Sequence, residues 1–224
     1  ENEGMWTATS PYPLHDELLN TYSGIKQVVS IKPFIGGDIK YNENIVTQAG
    51  LYADENFFEL FNFSLKEGNA PTALKDPYNM VITEPMAKKL FGNENPLGKT
   101  VSFADRRLDA LGVGLEDEEK KLGDFVISGV IKDLKYKSHI HFDFLVSMAT
   151  LRSLSNANVY KVQFDDWKDM WNFYTYVLVE DNKTLLDLTQ NLNSISDVKY
   201  KSEEKSKIIY EAQPLTQITP GKFT

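Results

Sequence analysis

The sequence predicts an α+β fold of two subdomains: a ferredoxin-like α/β unit built from both chain ends, and a mixed, strand-rich unit inserted between them. Three observations predict it. The N-terminal part reads helix, strand, strand; the C-terminal part reads strand, helix, strand; the long middle holds β-branched and aromatic runs broken by short helices. The two ends can pair into one sheet with helices on one face, which places the first unit at 1–54 and 168–224 and the inserted one at 55–167. A chain of 224 residues, 42% of them apolar, with 13 Phe, 11 Tyr and 3 Trp, can fill such cores.

In PYPLHDELLNTYSGI, Leu14, Leu18 and Tyr22 recur at helical spacing, and Gly24 ends the helix. KQVVSIKPF at 26–34 is a β-branched strand, Gly36-Gly37 reads as a turn, and YNENIVTQAGLYA at 41–53 as the returning strand. Asp54 is placed to cap a short helix that carries Phe57, Phe58, Leu60 and Phe61. The stretch from Tyr78 to Phe103 has the most signals. A strand to Ile82 meets Thr83 as N-cap, Glu84 and Pro85 occupy the first turn, and Gly92 takes the C′ position. Met86, Ala87, Leu90 and Phe91 form its buried face, and Asn95-Pro96 turns the chain into a strand from Lys99.

Residues 104–123 are charged and glycine-containing, an excursion between strands. DFVISGVIKDL at 124–134 is a strand with Gly129 marking a bulge or a close approach, and HFDFLVSM is a further strand. Residues 149–168 carry little pattern. WNFYTYVLVE then reads as a strand, DNKTLLDLTQNLNSI as a helix capped by Asn182 with Leu185, Leu188 and Leu192 inward, and KIIYEAQPL at 207–215 as the last strand.

A net charge of −8 argues against a nucleic-acid partner, since binders of phosphate backbones carry a basic balance or patch. The absence of cysteine excludes disulfides and thiol catalysis. No run approaches the roughly 20 apolar residues of a membrane helix, and ENEGMWTATS lacks the regions of a signal peptide. Two origins fit: a cytosolic protein, or an excised piece of a larger membrane protein.

In KSHIHFDF, 137–144, His139, His141 and Asp143 alternate with Ile140, Phe142 and Phe144, so on a strand the three polar groups share a side. Two imidazoles and a carboxylate begin a zinc or iron site, and the stretch is similar to the opening H-x-H-x-D-H of metallo-β-lactamases. Yet Phe144 stands where that pattern has histidine, and the one further histidine is His15. A strand with one polar and one apolar face is the simpler reading, with no metal expected.

GNENPLGKT at 92–100 imitates a phosphate loop, but five residues separate Gly92 from Gly98, and a helix precedes the loop where one should follow. No G-x-S-x-G elbow occurs, and serines near histidine, such as Ser138, lack an oriented base. EDEEKK at 116–121 reads as a solvated face. Asp165-Asp166 beside Trp167 and Trp171 has the composition of a sugar site, and equally that of an ordinary corner. No catalytic, cofactor or metal residue is therefore expected.

ADENFFELFNFSLKEGNAP, MVITEPMAKKLFGNENPLGKTV, FVISGVIKDLKYKSHIHFDFLVS, TYVLV and QPLTQI resemble, in that order, the MacB-like periplasmic core domain of FtsX-like ABC transporter permeases. The most specific parts are A-K-K-L-F-G followed by N-P-L-G-K, and G-V-I-K-D followed by S-H-I-H-F-D. The charged 104–123 segment and the weak 149–168 stretch depart from it.

The resemblance implies a porter-like α/β subdomain from both ends, an inserted subdomain, and a place between the first two membrane helices of a permease, on the outer side of a Gram-negative inner membrane. It further implies a non-catalytic domain, a dimeric permease, a cytoplasmic ATP-binding subunit and an adaptor or substrate protein as partners. Transport or sensing of a peptide, lipoprotein or macrolide-like compound would be the work. A stand-alone sensor binding peptide or sugar near Trp167 and Trp171 is the alternative, and a metallohydrolase at His139, His141 and Asp143 a third.

Overall fold

The computed structural model describes residues 5–108, 119–132, 139–202 and 207–218. Helix α1 (Pro13–Thr21) starts on a proline, which suits a position without an amide partner, and stops short of Gly24 at φ +88°. Strand β1 (Ile25–Tyr41) runs straight through Gly36 and Gly37, so the expected turn there is a correction. The chain reverses instead at Asn42, φ 53°, into β2 (Asn44–Ala53). Both glycines mark close approach: a Cβ on Gly37 would lie 2.1 Å from the Ala104 carbonyl oxygen, and one on Gly36 2.8 Å from that of Gln48.

Helix α2 (Phe57–Phe61) has Asn56, not Asp54, at its cap position. After β3 (Leu65–Gly68), α3 (Ala70–Ala73) and β4 (Asn79–Thr83) comes α4 (Glu84–Phe91), built as its sequence predicts. The Thr83 hydroxyl accepts from the Met86 amide, Gly92 closes the helix at φ 63°, and Met86, Leu90 and Phe91 are buried. Strands β5 (Thr100–Asp105) and β6 (Lys120–Ile131) pair as far as Asp105 with Lys120, so both described ends of the expected excursion are sheet.

Strand β7 (Phe144–Ser147) is followed by α5 (Met148–Asn156), a helix in the stretch that read as patternless. Ser147 caps it, accepting from the Thr150 amide. Strand β8 (Tyr174–Val179) leads to α6 (Leu185–Lys199), whose cap is Thr184 in a reciprocal box with Asp187 rather than Asn182. Leu185, expected inward, is 45% exposed. Residues 207–215 form no strand: the Ile208 carbonyl accepts from the Ser196 hydroxyl and the Tyr210 hydroxyl meets that of Tyr200, so the segment lies along α6.

The pairings close a ring, β1-β2-β7-β4-β6-β5 and back to β1, with β3 added beside β6 and β8 beside β1. β1 serves two partners on the same side in succession. Ile25 to Ile31 pair with β8, and Gly37 to Lys40 pair with β5. Pairing alone draws no line at residues 54 or 168, because β1 belongs to both parts.

One face of the ring strands, with α4 and α5, packs around Phe103, Phe125 and Phe144, all 2% exposed or less. The other face carries Val81, Ile131 and Leu145 under Phe57 and Phe58 of α2. A third, smaller cluster joins Leu14 and Leu18 of α1, Val28 of β1, and Leu188, Leu192 and Ile195 of α6. The expected ferredoxin-like sheet is thus reduced to a β1–β8 ribbon with two helices on one face.

Candidate functional site

The residues that could carry chemistry are held at four places. The first joins the start of α1 to β1 and to the end of β2. Asp54, just past β2, is 9% exposed, and its Oδ2 accepts from the Ser30 amide at 2.6 Å and lies 3.2 Å from His15 Nδ1. The Tyr12 hydroxyl donates to its Oδ1 at 3.3 Å. His15 Nδ1 also meets Ser30 Oγ at 3.1 Å. Serine, histidine and aspartate therefore gather, yet both contacts of the imidazole fall on one nitrogen. A nucleophilic relay needs the carboxylate on one ring nitrogen and the hydroxyl on the other, and Ser30 is fully buried. The cluster fastens α1 to the ends of two strands. Burial, then Asp54, pushes the Tyr12 phenol well above its ordinary value.

The second place is the polar end of the ring. Lys32 stands opposite Tyr52 across β1 and β2 and is 6% exposed. Burial first, then Arg107, lowers its pKa to about 8, against the upward pull of Asp169 and Asp105. Asp105 is 2% exposed, and its Oδ1 accepts from the Gly36 and Arg107 amides at 2.8 and 3.0 Å while Oδ2 takes the Tyr160 hydroxyl. Burial raises the Asp105 pKa despite these donors. Sequence reading missed both clusters, because their members are spread from residue 12 to 54 and from 32 to 169 with no local spacing to announce them.

The third place is the expected metal stretch. Residues 139–143 are not a strand, so the alternation does not put the three polar groups on one face. His139 Nε2 is 3.3 Å from the Tyr176 hydroxyl, and burial, then His141, lowers its pKa. His141 is exposed. Asp143 accepts from Gln48 Nε2 at 2.9 Å, while its amide and carbonyl bridge Ala49 and Thr83. Among the described residues, no three of His, Asp and Glu are grouped so as to hold a metal ion.

The imitation phosphate loop spends its donors on itself and on β6: the Leu97 amide reaches the Asn95 side chain, the Lys99 amide the Pro96 carbonyl, and the Gly98 amide the Ile127 carbonyl. Lys99 Nζ is bound by Glu94 at 2.7 Å and Tyr41 at 2.9 Å. No converging set of amides is left for phosphate.

The fourth place is a cavity of about 540 Å³ between α5 and the 162–166 segment, lined by Arg152, Ser155, Gln163, Phe164, Asp165 and Asp166. The Arg152 guanidinium lies over the rings of Tyr12 and Phe164, at 4.7 and 4.3 Å from their centroids. Trp167 turns away, beneath Lys199 and edge-on to Tyr200, and Trp171 is 59% exposed. The two tryptophans and two carboxylates thus do not line one site. Ser138 and the 116–118 part of the acidic run lie outside the described residues.

Comparison with known proteins matches residues 3–195 to the family of the MacB-like periplasmic core domain. The chain is 33% identical over 112 residues to the macrolide export ATP-binding/permease protein MacB of Aggregatibacter actinomycetemcomitans, covering 47% of this chain and 17% of that protein. The chain therefore spans less than a fifth of the length of that relative.

A domain assigned to a permease of Porphyromonas gingivalis superposes with TM-score 0.67 at 17% identity, covering 95% of this chain and 90% of that one. The periplasmic region of MacB from Actinobacillus actinomycetemcomitans superposes with TM-score 0.57 at 17% identity, covering 95% and 82%. At such identities the superpositions speak for the mixed, strand-rich fold alone. With the family match extending over most of its length, the chain belongs to the family of MacB-like periplasmic core domains.

Proposed function

We propose that this chain is a non-catalytic, extracytoplasmic lever of an ABC transporter permease, positioned between two membrane helices on the outer side of a Gram-negative inner membrane. Movement driven by ATP hydrolysis on a cytoplasmic subunit reaches it through its ends. It serves export of, or response to, a peptide, lipoprotein or macrolide-like compound, within a permease dimer that contacts an adaptor or substrate protein.

One observation carries the reading: the elements next to both ends pack on one ribbon, and that ribbon continues into the ring. α1 and α6 share a core over β1 and β8, and Lys199 of α6 pairs with Glu17 of α1 at 2.9 Å. In this reading the chain has two units, an end unit at 1–54 and 168–224 and an inserted one at 55–167, and β1 from Gly37 and β2 up to Ala53 serve the second as well, as strands of the ring. Among the described residues no helix is long and apolar enough to cross a membrane, so the membrane helices of the proposal lie beyond this stretch.

The test uses the intact coding sequence expressed in its own membrane with a single cysteine in place of exposed Gln190. A membrane-impermeant maleimide labels it in cells whose outer membrane alone is opened. Labelling only after lysis of the inner membrane overturns the placement.

A stand-alone sensor is the second reading, favoured by the cavity beside Arg152. Calorimetry with short peptides and oligosaccharides decides it: saturable heat supports capture, and none supports the lever.

A further inference from the structure

We propose that residues 32–36 of β1 are an articulation between the end unit and the ring, and that Asp54, held by Tyr12, His15 and Ser30, is the latch across it.

β1 changes partner at this point. Its pairing with β8 ends at Ile31, and its pairing with β5 begins at Gly37. The β1–β2 register shifts between Lys32 and Ile35 in the same interval, so residues 32–36 have no partner on the β8/β5 side and Pro33 and Phe34 have none on the β2 side either. Within it, Phe34 is held at φ 64°, a region that costs an aromatic residue free energy unless its surroundings impose it. Phe34 is also 38% exposed, so packing of its ring does little to impose that conformation. Lys32, two residues before it, is buried.

The ring side of the interval is fixed. The Gly36 amide is tied to Asp105, and its carbonyl accepts from the Arg106 and Leu108 amides. Gly37 sits against the Ala104 carbonyl with no room for a Cβ. Motion at the interval would therefore belong to the end unit.

What holds the observed position is Asp54 together with the end of the β1–β2 ladder, where Ile31 faces Ala53 and the Asp54 amide donates to the Ser30 carbonyl at 3.3 Å. Asp54 follows the last residue of β2, a ring strand, whereas the groups that bind its carboxylate are on α1 and on the β8-paired half of β1. A buried carboxylate with that many donors costs much to withdraw while the donors stay in place. The same contacts on a hinged strand make a two-position device: closed with Asp54 seated, and open with the carboxylate and its donors hydrated separately.

The articulation rests on the lever reading for its purpose but not for its existence, and it is tested on the chain alone. The absence of cysteine allows two spin labels at chosen positions. Gln190→Cys on α6 and Lys88→Cys on α4 are exposed sites on the two sides. Electron–electron double resonance should give one narrow distance in the otherwise native chain, and a second or broadened population when Asp54→Asn is added, with the far-ultraviolet circular dichroism unchanged. Coincident distributions in the two proteins overturn the latch.

If Asp54→Asn does not fold, hydrogen exchange on the native chain takes its place. The Ser30 and Phe34 amides should exchange at least tenfold faster than those of Gly36, Ile39 and Ile127, and equal protection overturns the articulation. Neither result bears on whether membrane helices flank the chain, so failure here leaves the placement test standing.

Discussion

The ring and the end unit are built from the same strand by different means. Six strands close on one another, both faces of the ring strands are covered by apolar clusters, and in one of them the ring of Phe103 packs edge-on against those of Phe125 and Phe144. The end unit has two paired strands, one of them with a free edge among the described residues, and a cluster of six buried apolar residues. A closed ladder must lose many hydrogen bonds at once to open, while an edge strand loses them one at a time. The contrast puts the open-edged structure in the end unit and the closed structure in the ring, the arrangement the proposed lever would use.

The sharpest way to break the comparison is inside the ring. Phe125→Ala removes a fully buried ring from the larger core and should cost about 4 kcal/mol, lowering the urea midpoint of the whole chain in a single transition. A separate early transition of the end unit with the ring unaffected would contradict it.

Lys32 comes next, with the opposite sign. Its pKa falls from 10.5 to about 8, with burial and Arg107 lowering it and Asp169 and Asp105 opposing. Below about pH 8 both folded and unfolded chains carry the proton, and the cost of burying it is present in full. Between pH 8 and 10.5 the unfolded chain binds a proton that the folded one has released, so stability climbs with pH. Lys32→Met should stabilise the chain by about 3 kcal/mol at neutral pH, from roughly 1.4 kcal/mol per pKa unit, and should flatten that climb. Urea titrations at several pH values measure both.

Leu192→Ala, in the small cluster, should cost about 2 kcal/mol and show earlier loss of α6 than of the ring by hydrogen exchange. Thr184→Ala removes the cap of the same helix and should cost about 1 kcal/mol, read as a drop in thermal midpoint without change in the ring's exchange. Uniform effects of both across the chain would erase the distinction between the two regions.

Legibility in the sequence follows the same division between local and distant causes. The β4, α4, β5 stretch was readable because Thr83, Pro85, Gly92 and Asn95 each act on residues within four positions of themselves. Gly36-Gly37 was misread because their reason is the Ala104 carbonyl, far along the chain, and a turn is what adjacent glycines most often mean. Asp54 was misread for a similar reason: a helix lies just beyond it, but its carboxylate is claimed by Tyr12, His15 and Ser30 from other elements.

Helix α5 could have been found from Ser147 as a cap before Leu151 and Leu154 at spacing appropriate to one buried face. The tail at 207–215 has a strand's composition without a strand's partner, since its contacts go to α6. The His139, His141, Asp143 alternation had meaning only on a strand, and the strand begins one residue later.

The central claim, that load at the two ends is taken first by the end unit and only then by the ring, is tested most directly by pulling on the two termini with optical tweezers. β1 begins opposite the end of β8, at Ile25 with Val179, so tension applied at the ends opens that ladder pair by pair from its outer end. The account predicts two unfolding events: a low-force release of α1, β8 and α6, followed by a higher-force rupture of the ring. A single event that extends the whole chain at one force would contradict it.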